Sequence, residues 1–150
     1  MATDKQKLGQ FGEKRVVSKC FCPKCKNAST LKLLPTNFKC ADIICDFCGY
    51  LAQVKTSQVN DVSILPKKIL GAAWKPQKER MTAGIYFPLF LVLVNKTNHK
   101  DAAIYYLSAD LQSPEIFVPR KKLSEQAKRA GWQGFLYDTE TVSESFVRLF

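Results

Sequence analysis

Histidine is almost missing from this chain: among 150 residues there is one, His99, lodged in a polar stretch of Asn, Lys and Thr. That scarcity argues against Ser-His-Asp and Cys-His nucleophilic triads, and against nucleases built on a histidine general base. Any acid–base work falls to carboxylates, lysine or metal-bound water. Long apolar runs are also lacking. The longest, residues 85–94, contains Pro88 and reaches only about half the length of a membrane span, so no transmembrane helix is expected. No apolar stretch follows the charged N-terminus Met-Ala-Thr-Asp-Lys-Gln-Lys, so no secretion signal is expected and a cytoplasmic location is. There is no internal repeat and no low-complexity tract. Acidic residues are outnumbered, 13 against 23 Lys and Arg, giving a net charge of +10 and a pI near 9.4. A polyanion is the natural partner of such a chain, and nucleic acid the default one. The plainer alternative is a generically soluble basic surface.

What is present is a globular composition. Hydrophobic residues are 46% of the chain, enough for one domain over 1–150 with a full core. The spacing of Leu8, Phe11, Val16 and Val17 predicts a helix over 3–19, capped by Thr3 or Asp4. A short strand is expected at 30–34, ending at Pro35, and two hairpin arms at 38–44 and 50–56. A loop follows over 57–65. Residues 66–83 read as a helix in two pieces, broken at Trp74-Lys75-Pro76, with Pro76 suited to the first turn of the second piece and Gly84 ending it. The uniformly apolar 86–95 has the mark of a strand covered on both faces. Further strands are expected at 102–107, 116–118, 134–137 and 146–150. A helix over 125–130 is expected between Ser124 and Gly131. The fold class is therefore α/β or α+β: a central mixed sheet flanked by helices.

Six cysteines in a chain without an export signal read better as metal ligands or free thiols than as disulfides. Cys22-Pro-Lys-Cys25 and Cys45-Asp-Phe-Cys48-Gly49 give two C-x2-C knuckles separated by nineteen residues. Such knuckles can close a tetrahedral four-thiolate shell around Zn2+, with no open position, so this zinc is expected to be structural. Gly49 lets the backbone turn beneath the ion. The resulting ribbon spans about residues 20–50. Cys20 and Cys40 are then spare, and read as small buried hydrophobes.

The second knuckle sits at the turn of a hairpin. If Ile44 faces Leu51, then Asp42 faces Gln53, and Lys55 points the same way as Gln53 because side chains alternate along a strand. A carboxylate, an amide oxygen and an ammonium at one end of a sheet suit metal-assisted phosphodiester cleavage. Asp42 and Gln53 offer oxygen to a hard divalent ion, and Lys55 offers charge to the transition state. The plain alternative is an exposed ion pair on a strand.

These residues resemble the PD-(D/E)xK nuclease superfamily, in the variant where glutamine replaces the second acid (Gln53-Val54-Lys55). More closely, they are similar to the DpnI-like, Dam-replacing restriction endonucleases that cut adenine-methylated DNA. The matching pieces are Cys22-Pro23-Lys24-Cys25, Ala41-Asp42, Cys45 to Cys48 and Gln53-Val54-Lys55. The likeness continues through Gly71-Ala72, Met81, the apolar 90–94 and Lys128-Arg129-Ala130-Gly131-Trp132-Gln133-Gly134, and so covers roughly 12–137 in order. It implies a PD-(D/E)xK core, Mg2+-dependent cleavage of double-stranded DNA and a catalytic set of Asp42, Gln53 and Lys55. It also implies an auxiliary acid at Glu13, whose alternative reading is a solvated helix glutamate. Two departures stand out. Gln53 is neutral and should hold metal more loosely than an acid, and the sequence offers no counterpart of the family's further winged-helix domain.

DNA contacts are expected from Lys67, Lys68, Lys75, Lys78 and Arg80, and from Arg120, Lys121, Lys122, Lys128 and Arg129. Trp132 is read as a base-stacking residue or a core anchor, and Trp74 as packing. The competing reading is a zinc-ribbon nucleic-acid-binding module or an inactive nuclease fold.

Overall fold

The computed structural model describes residues 3–150; Met1 and Ala2, part of the charged N-terminus, lie outside the described residues. Helix α1 (Asp4–Lys19) begins at a capping box. The Gln6 backbone N–H donates to Thr3 Oγ1 (3.2 Å), and the Thr3 N–H donates to Gln6 Oε1 (2.8 Å). Two donors that the first turn cannot satisfy internally are thereby paired. Val16 is fully buried, and Leu8, Phe11 and Val17 pack beside it.

Strands β1 (Leu31–Leu33), β2 (Ile43–Cys45) and β3 (Leu51–Val59) follow, then β4 (Lys68–Ala73) and helix α2 (Trp74–Thr82). The chain closes with β5 (Leu89–Asn95), β6 (Ala102–Leu107), β7 (Phe117–Pro119), β8 (Gly134–Asp138) and β9 (Val147–Arg148). Six strands form a mixed sheet in the order β1-β2-β3-β5-β6-β9, and three form a second sheet in the order β4-β8-β7. The β3–β5 pair is parallel and its neighbours are antiparallel. Leu89 to Val94 of β5 are all buried, because the sheet is covered on both sides. On one side α1 and the cysteine knuckles pack on Ile43, Ala52, Val54, Phe90, Val92 and Ile104. On the other, Leu89, Leu91 and Leu93 meet Phe117, Phe135 and Tyr137 of the second sheet.

The mixed α+β architecture with a central mixed sheet is the expected one, but helices cover only part of it. Residues 66–83 are not two helical pieces: the first half is β4, paired to β8 through Ile69↔Tyr137 and Leu70↔Leu136. Lys, Leu and Ala favour helix locally, yet cross-strand pairing decides. Gly71 lies so close beneath the Phe135 ring that a Cβ there would stand 2.4 Å from it. The helix expected over 125–130 is a run of turns, held by Gly131 N–H to Leu123 O (3.1 Å). Nearly all of its residues are exposed, so no apolar face offsets the cost of nucleating so short a helix. The first hairpin arm is shorter than expected because the chain turns at Pro35–Phe38 and again at Cys40, whose φ is +68°. β3 runs on to Val59, drawn out by its pairing with Asn95. Among the described residues no helix is long and apolar enough to cross a membrane.

Candidate metal centre and acid-lined cavity

The two knuckles converge. The sulfurs of Cys22, Cys25, Cys45 and Cys48 all lie within 4.8 Å of one another, with Cys22–Cys48 at 3.6 Å and Cys25–Cys45 at 3.7 Å. Four sulfurs at about 2.3 Å from one zinc stand roughly 3.8 Å apart, so this cluster has the size of a tetrahedral thiolate shell. Left-handed turns at Lys26 (φ +64°) and Gly49 (φ +79°) fold the backbone under each knuckle. Burial pushes the Cys22 thiol up to about 12. Burial also opposes ionisation of Cys45, but its hydrogen bond with Thr30 and those from the Cys48 and Phe47 backbone hold it down to about 6. Four close cysteines of this kind can bind a metal such as zinc. Cys20 is buried against the core beside them, as a small hydrophobe should be. Cys40 is only half-buried and lines the cavity described next.

The hairpin register places Ile43 opposite Ala52 and Ile44 opposite Leu51, and Asp42 comes just before the paired residues rather than in a pair with Gln53. The Asp42 N–H donates to Ala52 O (2.9 Å), and Asp42 Oδ2 accepts from the Val54 N–H (2.7 Å). Alternation along β3 sends Ala52 and Val54 toward α1, and Gln53 and Lys55 the other way. Asp42, Gln53 and Lys55 therefore line one cavity of about 290 Å³, together with Cys40, Gln77 and Phe135. Gln53 is only 5% exposed, and both ends of its amide are engaged. The Tyr137 hydroxyl donates to Gln53 Oε1 (2.9 Å), and Gln53 Nε2 donates to Gln77 Oε1 (2.9 Å). Burial, with the charges of Asp42 and Cys40 adding to it, raises Tyr137 far above the ordinary phenol range and keeps it a donor.

Asp42 also borders a second hollow, which it shares with Gln6, Gln10 and Glu13 of α1. Gly12 makes this approach possible: a Cβ there would lie 1.8 Å from Thr56 Oγ1. With no side chain at that position, α1 settles directly onto β3 and carries Glu13 into the neighbourhood of Asp42. Burial first, and then the Asp42 charge, push the Glu13 carboxyl up to about 7, with Lys55 pulling the other way. The expected auxiliary acid thus stands beside the hairpin set rather than out in solvent.

The basic residues are less concentrated. Lys75, Lys78 and Lys122 line a hollow of about 460 Å³ with Trp74, Trp132 and Gln133, which adjoins the acid-lined cavity across Ala73 and Pro76. The Arg129 guanidinium stacks over Trp132 at 4.5 Å, so an arginine occupies one face of that ring. Lys128 is exposed on the same turn, and Lys68 is exposed on β4. Lys67 is paired with Glu140 (3.7 Å) at the surface. Trp74 packs on Phe135 (5.6 Å), as a core residue. His99 lies at the surface against Gln58 Nε2 (3.0 Å), away from the cavity. Sequence reasoning missed Gln77 and Tyr137. Both carry common residue types at positions that only the packing of α2 and β8 on β3 brings to Gln53.

An α+β domain with a four-cysteine centre clamped to the hairpin that frames an acid-lined cavity is the class of molecule these features define. The family model described as DpnI: Dam-replacing family matches residues 2–148, and the chain belongs to that family. Membership points to a restriction-type nuclease, with DNA as its substrate.

Proposed function

We propose that the protein is a metal-dependent DNA endonuclease with a PD-(D/E)xK core, acting on adenine-methylated double-stranded DNA. The observation that carries this reading is the hairpin register, which gathers Asp42, Gln53 and Lys55 around one cavity with Glu13 alongside. Its donors fit a hard divalent ion such as Mg2+. Burial first, and then the nearby Asp42 charge, suppress ionisation of Glu13, a cost that a cation bound between the two carboxylates would relieve. Asp42 keeps one oxygen free of the backbone, and Glu13 supplies a second carboxylate. The Gln53 carbonyl retains one lone pair beyond the one Tyr137 occupies. An ion held there supplies Lewis acidity toward the phosphodiester. Lys55 offsets negative charge as it builds on the phosphorus oxygens and orients the attacking water. Zn2+ in the four-cysteine centre fixes the hairpin, and with it the distance between Asp42 and Gln53. Lys68, Lys75, Lys128 and Arg129 neutralise backbone phosphates, and Trp132 stacks on a base or wedges into the duplex.

Incubation with plasmid, adenine-methylated or not, in magnesium and then in EDTA tests this. We expect cutting of methylated plasmid in magnesium, abolished in Asp42→Ala and Lys55→Ala proteins that melt as the wild type does. A second reading, a nuclease fold that binds without cutting, draws on the neutrality and double engagement of Gln53. Intact plasmid under every condition, with retained DNA binding, would favour it.

A further inference from the structure

We propose that the loop joining β1 to β2, residues 35–40, grips the substrate at the acid-lined cavity: Lys39 neutralises a backbone phosphate beside the scissile one, and the Phe38 ring lies against a base of the same strand. This rests on the nuclease reading and adds two residues that the hairpin motif does not contain.

The loop is rooted at the candidate chemistry itself. Leu33 pairs with Ile43, and the Leu34 N–H donates to Asp42 O (2.9 Å), so the backbone of Asp42 holds the base of the loop. The Phe38 N–H donates to Pro35 O (3.0 Å), and Cys40 takes a left-handed turn (φ +68°). With the chain bent in this way, residues 36–40 all line the cavity that Asp42, Gln53 and Lys55 share. Thr36, like Asp42, also borders the hollow that holds Glu13. The loop therefore edges both of the hollows that meet at Asp42.

The kind of ligand follows from what the loop presents. Phe38 is 46% exposed and belongs to neither buried cluster, so no packing role accounts for its ring. A lone exposed ring is ordinary on a protein surface. This one stands in a cavity wall beside an exposed lysine, where a ligand meets both. Lys39 is paired with no carboxylate among the described residues. Its charge reaches the Cys40 thiol in the cavity wall, as do those of Arg80 and Lys55. A phosphodiester at Asp42 is thus approached by Lys55 from β3 and by Lys39 from the loop. A ring next to a cation matches a nucleic acid strand, in which flat bases alternate with charged phosphates.

Affinity for a short methylated duplex is measured by fluorescence anisotropy over a range of salt without added divalent ions, and cleavage is measured in magnesium. Lys39→Ala should make the log–log salt slope shallower by about 0.9, the share of one phosphate, and Lys39→Arg should restore it. Phe38→Ala should bind at least about fivefold more weakly with the slope unchanged, and Phe38→Trp should recover the affinity. Lys96 is exposed just beyond Asn95, at the end of β5 away from Gln53, and serves as the control for net charge. Lys96→Ala should keep the wild-type slope. Both loop side chains are exposed, so each variant should melt as wild type does. If either Lys39→Ala or Phe38→Ala binds with wild-type affinity and slope, the inference fails, and cutting by wild type leaves the nuclease reading intact. It fails equally if Lys96→Ala loses as much slope as Lys39→Ala. If both loop variants weaken as expected and wild type cuts nothing, the nuclease reading fails and the contact stands. No binding by wild type overturns both.

Discussion

Glu13 is held as a neutral acid where an ordinary glutamate would be ionised. Burial and the Asp42 charge raise it from 4.5 to about 7, so between those values the folded state keeps a proton that the unfolded state has released. The stability of the protein without added divalent ions should therefore fall as pH rises through that window, with the Glu13 contribution complete above about 7. Melting of wild type and Glu13→Gln at a series of pH values checks this. The variant should gain on wild type steadily from pH 4.5 to 7, and parallel curves would show that Glu13 is not so held. A divalent ion that lets both carboxylates ionise should remove the difference. Gln53 shows the limits of motif reading at this scale. Its place on the same side as Lys55 follows from alternation along a strand, whereas its burial against Tyr137, 84 residues away in the chain, does not.

The hairpin of β2 and β3 owes its register to two features of its own sequence. Ile43, Ala52 and Val54 must face the same buried side, and the Cys45–Gly49 turn sets how the arms return. The cysteine centre ties this turn to the segment after α1, since Cys22 and Cys25 belong to the other knuckle. We expect about one zinc per chain by elemental analysis. A chelator should lower the melting temperature and loosen 20–50 together, and added zinc should restore both. Equal stability with the metal removed would refute a structural centre. Elsewhere local preference misled. The 66–73 segment has helix-forming residues but becomes β4, because β8 needs a partner and Gly71 accepts the Phe135 ring. The 125–130 segment has a cap and a stop, yet nothing for a helix to pack on.

At the scale of the molecule, charge dominates encounter with a substrate. The chain carries +10, and Lys75 and Lys78 of α2 and Lys122 line the hollow that adjoins the acid-lined cavity. Binding to a short duplex should fall steeply with salt, with a log–log slope of at least about −3, each neutralised phosphate contributing about −0.9. On the proposed function, Asp42→Ala should leave that slope unchanged while abolishing cutting, because Asp42 is assigned there to the ion rather than to a phosphate contact. A flat salt dependence would place the duplex on another surface. Lys67, already paired with Glu140, should contribute least to the slope.

The order of residues alone determined the four-cysteine set, the shared side of Gln53 and Lys55 on their strand, the buried β5 strand and the capped first helix. Each depends on short spacings: two residues within a knuckle, alternation by twos in a strand, three to four in a helix. The family likeness was equally legible, since its motifs are local strings. Only the tertiary structure decided that a second sheet rather than a helix covers the far face, that Gly12 seats Glu13 beside Asp42, and that Tyr137, Gln53 and Gln77 form one buried hydrogen-bonded chain. Those outcomes depend on which distant surfaces exclude water together, and burial between remote segments leaves no periodic trace in the sequence around any one of them.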